Sequence, residues 1–207
     1  WPVIALQNGV DFRRPDRAAL LRTLTLIHDL LYRRRVAALT PRYLPNTDAF
    51  MRGKAATVLT TSIELAGWEG AAGGAAPFRP KAAALPVGGR KSTMLIANGF
   101  MMPESCGEPE MAEHFLKLAV SSELQERFAR SAGFLSVLPR VNEAVRSRGE
   151  LDSLLLGEDA LESSRFLHEM LCDPTAAQEL EAEMALFWSG LESAEELAGR
   201  MTDILGG

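Results

Sequence analysis

The stretch FMRGKAATVLTTSIELAGW, residues 50–68, joins a short apolar run to a cluster of hydroxyls and a tryptophan. Within it, AATVLT at 55–60 has the length and the β-branched content that predict a buried strand. Thr60, Thr61 and Ser62 lie where that strand ends, and Trp68 follows shortly after. The stretch contains no recognisable catalytic motif, so the role of its hydroxyls has to be sought in the rest of the chain.

Three other apolar segments predict further short strands. They are VIAL at 3–6, AAALPV at 82–87 and STMLIANGFMM at 92–102. Between the first two, Leu20, Leu24, Ile27 and Leu31 recur at helical spacing and predict a helix with one broad apolar face. Such a face is most simply explained if it packs on a sheet.

After Pro103 the pattern changes to helices. Met111, Phe115 and Leu118 share one helical face. Further helices are predicted at about 141–147, 159–171, 174–189 and 193–205. A capping box of Ser193 and Glu196 opens the last one. A chain of roughly half helix with about three to five short strands is α/β or α+β, helix-rich with a small central sheet, and α/β is the class we expect.

Composition and charge restrict the class of protein. The 207 residues are 47% hydrophobic and 24% charged, which is typical of a globular protein with a real core. The formal net charge of -5 argues against a nucleic-acid partner. The one basic run, residues 33–35, ends a predicted helix, where positive charge complements the helix dipole.

Residues suited to catalysis or metal binding are scattered. Cys106 and Cys172 lie far apart, and the three histidines lie in separate helical segments, so neither a disulfide framework nor a metal site is predicted. The segment GGRK at 88–91 has glycines and cations that could cradle a phosphate, but it lacks the Ser/Thr and helix context of a P-loop, so a plain turn is favoured. A binding protein is therefore favoured over an enzyme.

Four segments resemble, in order, the motifs of bacterial extracellular solute-binding proteins, the carbohydrate-type receptors of ABC importers. FMRGKAATVLTTSIELAGW is similar to their F-x-x-G-K-A-A-M step, and APFRPKAAALPVGG to their segment of a proline followed by a glycine pair. EPEMAEHFLKLAVSSELQERFARSAGFLSVLPRV resembles their S-x-E-x-Q and G-x-L-P segment. ELEAEMALFWSGLESAEELAGRM resembles their terminal helix pair. Together the four span nearly all of 50–207.

This resemblance implies a periplasmic-binding-protein-like fold with two lobes. Residues 1–84 would form the first part of the C-terminal lobe, 85–134 would cross to the N-terminal lobe, and 135–207 would complete the C-terminal lobe. The chain would then be the second half of a longer protein, whose first half carries the signal sequence and most of the other lobe. A chain without that half is expected to associate with itself or to bind its ligand weakly.

The resemblance also implies a ligand site in the cleft between the lobes. Its positions in this chain are Thr60, Thr61, Ser62, Trp68, Gly88, Gly89 and Phe134. Hydroxyls can donate to and accept from a polyol, and an aromatic ring covers the apolar face of a sugar. Alternative interpretations stay open: Trp68 as a core or loop anchor, the glycines as a turn, and Phe134 as a core residue.

The implied function is the substrate-binding component of an ABC importer, which captures a sugar or related polyol and delivers it to membrane permease subunits. It would be periplasmic or extracellular, with a lipid anchor as a further option, and would need no cofactor, metal or catalytic residue. A phosphorylated polyol such as glycerol phosphate is an alternative ligand, suggested by Arg90 and Lys91. A helical protein–protein interaction module is the alternative class, favoured if the apolar stripes at 20–31 and 180–188 face solvent.

Overall fold

The computed structural model divides the chain into two compact units, each made of separate segments. It describes residues 1–39, 48–61, 64, 78, 81, 83–97, 99–132, 135–148, 161–166 and 173–206. The first unit comprises Trp1–Leu39, Leu85–Ala97 and Asp159–Gly207. The second comprises Thr40–Ala84 and Asn98–Glu158.

Helices make up most of the described secondary structure. Their bounds are α1 Pro2–Gln7, α2 Arg17–His28, α3 Asp48–Met51, α4 Pro109–Ala119, α5 Ser122–Ala132, α6 Pro139–Ser147, α7 Pro174–Trp188 and α8 Ala194–Gly206. A π-helical turn, Asp29–Arg33, continues α2. The strands are β1 Thr93–Leu95 and β2 Ser164–Phe166, which pair in parallel with Thr93 opposite Ser164. The predicted α/β class is confirmed at this level, as a helix-rich chain with a small parallel sheet.

The core of the first unit forms where α2, α7 and α8 pack together. Asp16 caps α2 by accepting a hydrogen bond from the Ala18 amide at 2.9 Å. The buried side chains of this core are Ala5, Leu6, Val10, Phe12, Ala19, Leu20, Leu24, Ile27, Leu180, Met184, Phe187, Leu197, Ala198 and Met201. Each fully buried leucine stabilises the unit by about 1.5–3 kcal/mol, an upper estimate because unfolded chains are partly compact. This core therefore unites the two ends of the chain.

The second unit has a smaller described core, supported by a polar network. Ala129, Val141 and Val145 are its buried apolar residues. The side-chain oxygen of Gln125, Oε1, accepts a hydrogen bond from the Ser136 hydroxyl at 2.8 Å and another from the Val137 amide at 3.1 Å. Asn142 completes the network, since its side chain accepts from the Ser136 amide and donates to the Ser136 carbonyl. The network fixes the extended residues before α6.

The first predicted strand, VIAL at 3–6, is wrong: these residues lie in helix α1. Pro2 occupies the first helical turn, where its missing N–H costs no hydrogen bond, and the Ala5 amide donates to the Trp1 carbonyl at 3.0 Å. Ala5 and Leu6 are buried in the first core. A four-residue apolar run cannot distinguish a strand from a buried helix by its period.

Other predicted strands are shorter than expected or take no regular form. Residues 55–61 form no strand, and neither do the described residues 83–87. Of the described residues in the segment 92–102, only Thr93–Leu95 form a strand. Its partner, Ser164–Phe166, lies inside the predicted helix 159–171, whose remaining residues are largely outside the described part of the chain. Pairing with β1 overrides the local helical pattern there.

Helix starts and ends were predicted better. Asp173 caps α7, accepting from the Thr175 amide at 2.9 Å, with Pro174 in the first turn. The capping box of α8 is confirmed: the Glu196 amide donates to the Ser193 hydroxyl at 3.2 Å, and the Ser193 amide donates to the Glu196 carboxylate at 3.1 Å. Gly53 follows α3 with a left-handed φ of 70°, a conformation that glycine adopts without steric cost after a helix.

Candidate ligand-binding residues

The hydroxyls of Thr60 and Thr61 are used locally, in hydrogen bonds with Glu64. The Thr60 hydroxyl donates a hydrogen bond to the Glu64 carboxylate. The Glu64 amide donates to the Thr61 hydroxyl oxygen at 3.4 Å. These contacts resemble a helix cap, in which a hydroxyl satisfies a free backbone N–H. The Thr61 O–H and the lone pairs of Thr60 retain further hydrogen-bonding capacity. Ser62 and Trp68 lie outside the described residues.

The glycine pair Gly88–Gly89 lies against the carboxyl end of α1. A Cβ atom at Gly88 would meet the Gln7 carbonyl oxygen at 3.2 Å and the Asn8 side-chain oxygen at 3.4 Å. A Cβ atom at Gly89 would lie 3.4 Å from the same carbonyl. Glycine therefore permits a close backbone approach at Gly88, which agrees with the interpretation of this pair as a turn.

Arg90 donates hydrogen bonds to backbone carbonyl groups in the last turn of α1 and just after it. Its Nε donates to the Leu6 carbonyl at 2.7 Å, and a terminal guanidinium nitrogen donates to the Val10 carbonyl at 3.1 Å. The Arg90 amide donates to the Gln7 carbonyl at 3.0 Å. A helix end leaves carbonyls without partners and carries partial negative charge, so a guanidinium satisfies both needs. We call this contact the Arg90 brace.

The predicted ligand residues belong to different compact units. Thr60 and Thr61 lie in the second unit, and Gly88 and Gly89 lie in the first. Phe134, the remaining predicted position, is outside the described residues. Neither unit therefore contains the predicted set by itself, and the assignment of these residues to a ligand site stays a prediction.

The assignment of segments to two receptor lobes also stays a prediction. A boundary between the compact units lies between residues 84 and 85, and residue 134 falls within the second unit. The units are defined by contacts inside this chain, which do not assign a segment to a lobe.

Sequence reasoning missed a buried carboxylate between α7 and α8. The Glu192 side chain is only 3% exposed, and Arg200 Nε lies 3.0 Å from its Oε1 atom. Arg200 also binds the Glu183 carboxylate at 2.7 Å. The ion pair with Glu192 is not aligned as a hydrogen bond, and neither oxygen of that carboxylate accepts one from the described residues. We call this contact the Glu192 clamp.

The pKa of Glu192 is raised, first because burial disfavours its charged form. The Arg200 guanidinium opposes this shift, whereas the nearby Glu183 and Glu196 carboxylates reinforce it. Glu196 itself has a lowered pKa, because the Ser193 side chain and backbone donate hydrogen bonds to its charged form. No periodic pattern indicated Glu192, since a glutamate after Ser189-Gly190 is typical of an exposed turn.

A shallow, open depression in the described surface lies beside this clamp. It encloses about 310 Å³ and is lined by Glu179, Ala182, Glu183, Arg200, Asp203 and Ile204. Among the described residues, no group of three or more His, Cys, Asp or Glu side chains is arranged to hold a metal ion. The described helices include none that is both long and apolar enough to span a bilayer.

Comparison with known proteins assigns no family to this chain. A scan of protein-family models, a search of curated proteins and a search of solved structures each returned no match.

Proposed function

We propose that this chain is part of the solute-binding component of an ABC importer that captures a sugar or related polyol. The observation that carries the proposal is the discontinuous organisation of the chain. Each compact unit is assembled from segments separated in sequence, so the polypeptide passes between them near residues 39, 84, 97 and 158. Repeated passage between two bodies is typical of hinge-closing receptors. The ordered motifs of residues 50–207 support the same class.

Capture in such a protein needs no chemical step. Ligand binding favours one arrangement of two bodies over another, and the shift equals the difference in affinity between the two arrangements. Binding groups then have to offer hydrogen bonds without acid–base activity. The residual capacity of the Thr60 and Thr61 hydroxyls meets that requirement, because a hydroxyl both donates and accepts.

A neutral polyol is favoured over a phosphorylated one. A phosphate bound at Gly88–Gly89 would recruit the Arg90 guanidinium, which already donates to the carbonyls of Leu6 and Val10. Such a ligand would have to displace these charge-assisted contacts at the end of α1, and their loss would offset part of its binding free energy. Arg90 therefore supports the fold of the first unit rather than recognition of an anion.

Binding can be tested on the complete gene product that contains these residues. Calorimetric titration with neutral sugars and polyols is expected to give saturable binding, with glycerol 3-phosphate binding more weakly. Thermal unfolding should shift upward, since ligand at 100 times Kd stabilises by about 2.7 kcal/mol. Thr61→Val should weaken binding about tenfold, whereas Thr25→Val, an exposed threonine of the first unit, should leave it unchanged. Absence of binding to every polyol, or turnover of any of them, would contradict the proposal.

A further inference from the structure

An exposed apolar surface of the second unit is used by neither the core nor the proposed ligand site. We call it the Met/Phe face. Its members are between 45% and 92% exposed: Phe100, Met101, Met102, Met111, Phe115 and Leu118. Single exposed apolar residues are common on protein surfaces, but a contiguous group is characteristic of an interaction site.

Helix α4 orients this surface outward. Ala112, Leu116 and Ala119 form its covered face and are buried or half-buried, whereas Met111, Phe115 and Leu118 recur at i, i+4 and i+7 along the adjoining exposed face. The Phe100 ring meets the Phe115 ring edge-on, with centroids 5.1 Å apart. This contact joins the segment before α4 to the exposed stripe of the helix, so the two parts form one surface.

The side chains of the Met/Phe face suit a helical partner. Methionine is unbranched and polarisable, so Met101, Met102 and Met111 can adapt to the side chains of a docked helix. Phenylalanine supplies rigid apolar area next to them. An amphipathic helix presents its apolar anchors along one face, at i, i+3, i+4 and i+7, and can lie against the stripe that α4 exposes at i, i+4 and i+7.

Charge near the Met/Phe face indicates the sign of its partner. Glu104, Glu108 and Glu110 are exposed in the segment that leads into α4, and no described residue forms an ion pair with them. Lys117 does not compensate for them, because it pairs with Glu113 at 2.6 Å. The apolar surface is therefore bordered by net negative charge, which favours a positively charged partner.

The same charge disfavours two other occupants. A second copy of this chain, docked by the same face around a two-fold axis, would set the glutamates of both copies against each other. An anionic lipid surface would repel them as well, because surface-binding helices use lysine and arginine. We propose that the Met/Phe face docks an amphipathic helix of a partner protein whose flanks carry lysine or arginine. The proposal does not depend on the importer function.

A designed peptide provides the probe. It has on the order of 18 residues, with leucine at helical i, i+3, i+4 and i+7 positions and lysine elsewhere. Fluorescence anisotropy with the 207-residue chain should give a Kd on the order of 10 µM, weakening as salt is raised. A peptide with glutamate in place of lysine, and a scrambled Leu/Lys peptide, should each bind at least about tenfold more weakly.

Variants then place the site. Met111→Ser with Leu118→Ser should weaken binding about tenfold, whereas Leu191→Ser, at an equally exposed leucine of the first unit, should not change it. Glu108→Gln with Glu110→Gln should weaken binding about threefold and reduce its salt dependence, unlike Glu181→Gln with Glu195→Gln. Because these residues are exposed, circular dichroism should show unchanged folding for every variant.

Several results would overturn the proposal. One is equal binding of the lysine and glutamate peptides. Another is wild-type affinity in the Met111/Leu118 double variant. A third is a dimer in sedimentation that the same double variant abolishes, since that would make a second copy the occupant. Face-dependent binding to phosphatidylserine vesicles would likewise assign the surface to lipid.

Discussion

Helices α2 and α4 carry apolar stripes of the same period, yet one stripe is buried and the other is exposed. On α2, which packs against α8, Leu20 and Leu24 are fully buried in the first core. On α4, Met111 is 70% exposed and Leu118 is 55% exposed. Helical spacing therefore predicts an apolar face but does not say whether the chain supplies its cover. Only the residues brought to that face by distant segments decide the outcome.

The buried stripes also bear on the interaction-module alternative. The residues at 20–31 and 180–188 that this alternative needs to expose belong to, or pack against, the first core. A docking surface built on them is not available in the folded unit. The exposed stripe of α4 belongs instead to the Met/Phe face, for which docking of a partner is proposed.

The largest difference in free energy of unfolding should appear when one side chain of each stripe is shortened to alanine. Leu24→Ala should destabilise the first unit by about 3 kcal/mol, because it removes a fully buried side chain and leaves a cavity. Met111→Ala should change the free energy of unfolding by less than about 0.5 kcal/mol. Urea unfolding followed by circular dichroism measures both. Equal losses would show that the two stripes do not differ as described.

Removing Gln125 should have the next largest effect and would test how the smaller core is held. Gln125→Ala leaves the Ser136 hydroxyl and the Val137 amide without their acceptor, which should cost about 1–3 kcal/mol. Glu143→Ala, at an exposed position of α6, is the matched control and should cost about 0.5 kcal/mol or less. Hydrogen exchange of the α6 amides should quicken in the first variant alone. Unchanged exchange in Gln125→Ala would contradict the assigned role.

Removal of the Arg90 brace should lower the free energy of unfolding somewhat less than removal of Gln125. Arg90→Met keeps the length of the side chain but removes its donors to Leu6 and Val10, which should cost about 1–2 kcal/mol. Arg14→Met, at an exposed arginine of the same unit, should be near neutral. Amide exchange in α1 is the sensitive measurement. If the α1 amides are equally protected from exchange in both variants, the brace does not stabilise that helix.

The smallest expected effect is on the pH dependence of the free energy of unfolding, to which the buried Glu192 carboxylate of the Glu192 clamp contributes. Because its folded pKa is raised above 4.5, its contribution to stability is present at lower pH and is lost as pH rises through the folded value. Glu196 has a lowered pKa, so its contribution is present at higher pH and is lost as pH falls through its folded value. Glu192→Gln should flatten the decline above pH 4.5, measured by urea unfolding across pH. A decline that is unchanged from wild type would exclude Glu192 as its source.

Local signals in the sequence predicted helix ends better than strands. Asp173-Pro174 and the Ser193–Glu196 box act within one turn, so their chemistry is complete in the local sequence. The pairing of β1 with β2 joins residues about 70 positions apart, and no local pattern specifies it. The segment VIAL is helical for a related reason. The contacts that bury it are made with α2 and with the residues around Arg90, which lie outside its local sequence.

The candidate site shows the same limit. Residue types predicted that Thr60 and Thr61 hydrogen-bond a ligand, whereas their described partner is Glu64, four and three residues away. The cations of GGRK suggested an anion site, whereas Arg90 binds carbonyls 80 and 84 residues earlier in the chain. Glu192 had no signal, because its burial depends on Arg200 of the following helix.

The first core contains residues 5–27 together with residues 180–201, and this arrangement has a consequence during synthesis. On a ribosome, Leu20 and Leu24 emerge long before α7 and α8 have been translated. At about 5–20 residues per second, their apolar side chains remain without cover for on the order of ten seconds or more. We therefore expect nascent chains of this protein to engage holdase chaperones until the carboxyl-terminal helices leave the exit tunnel.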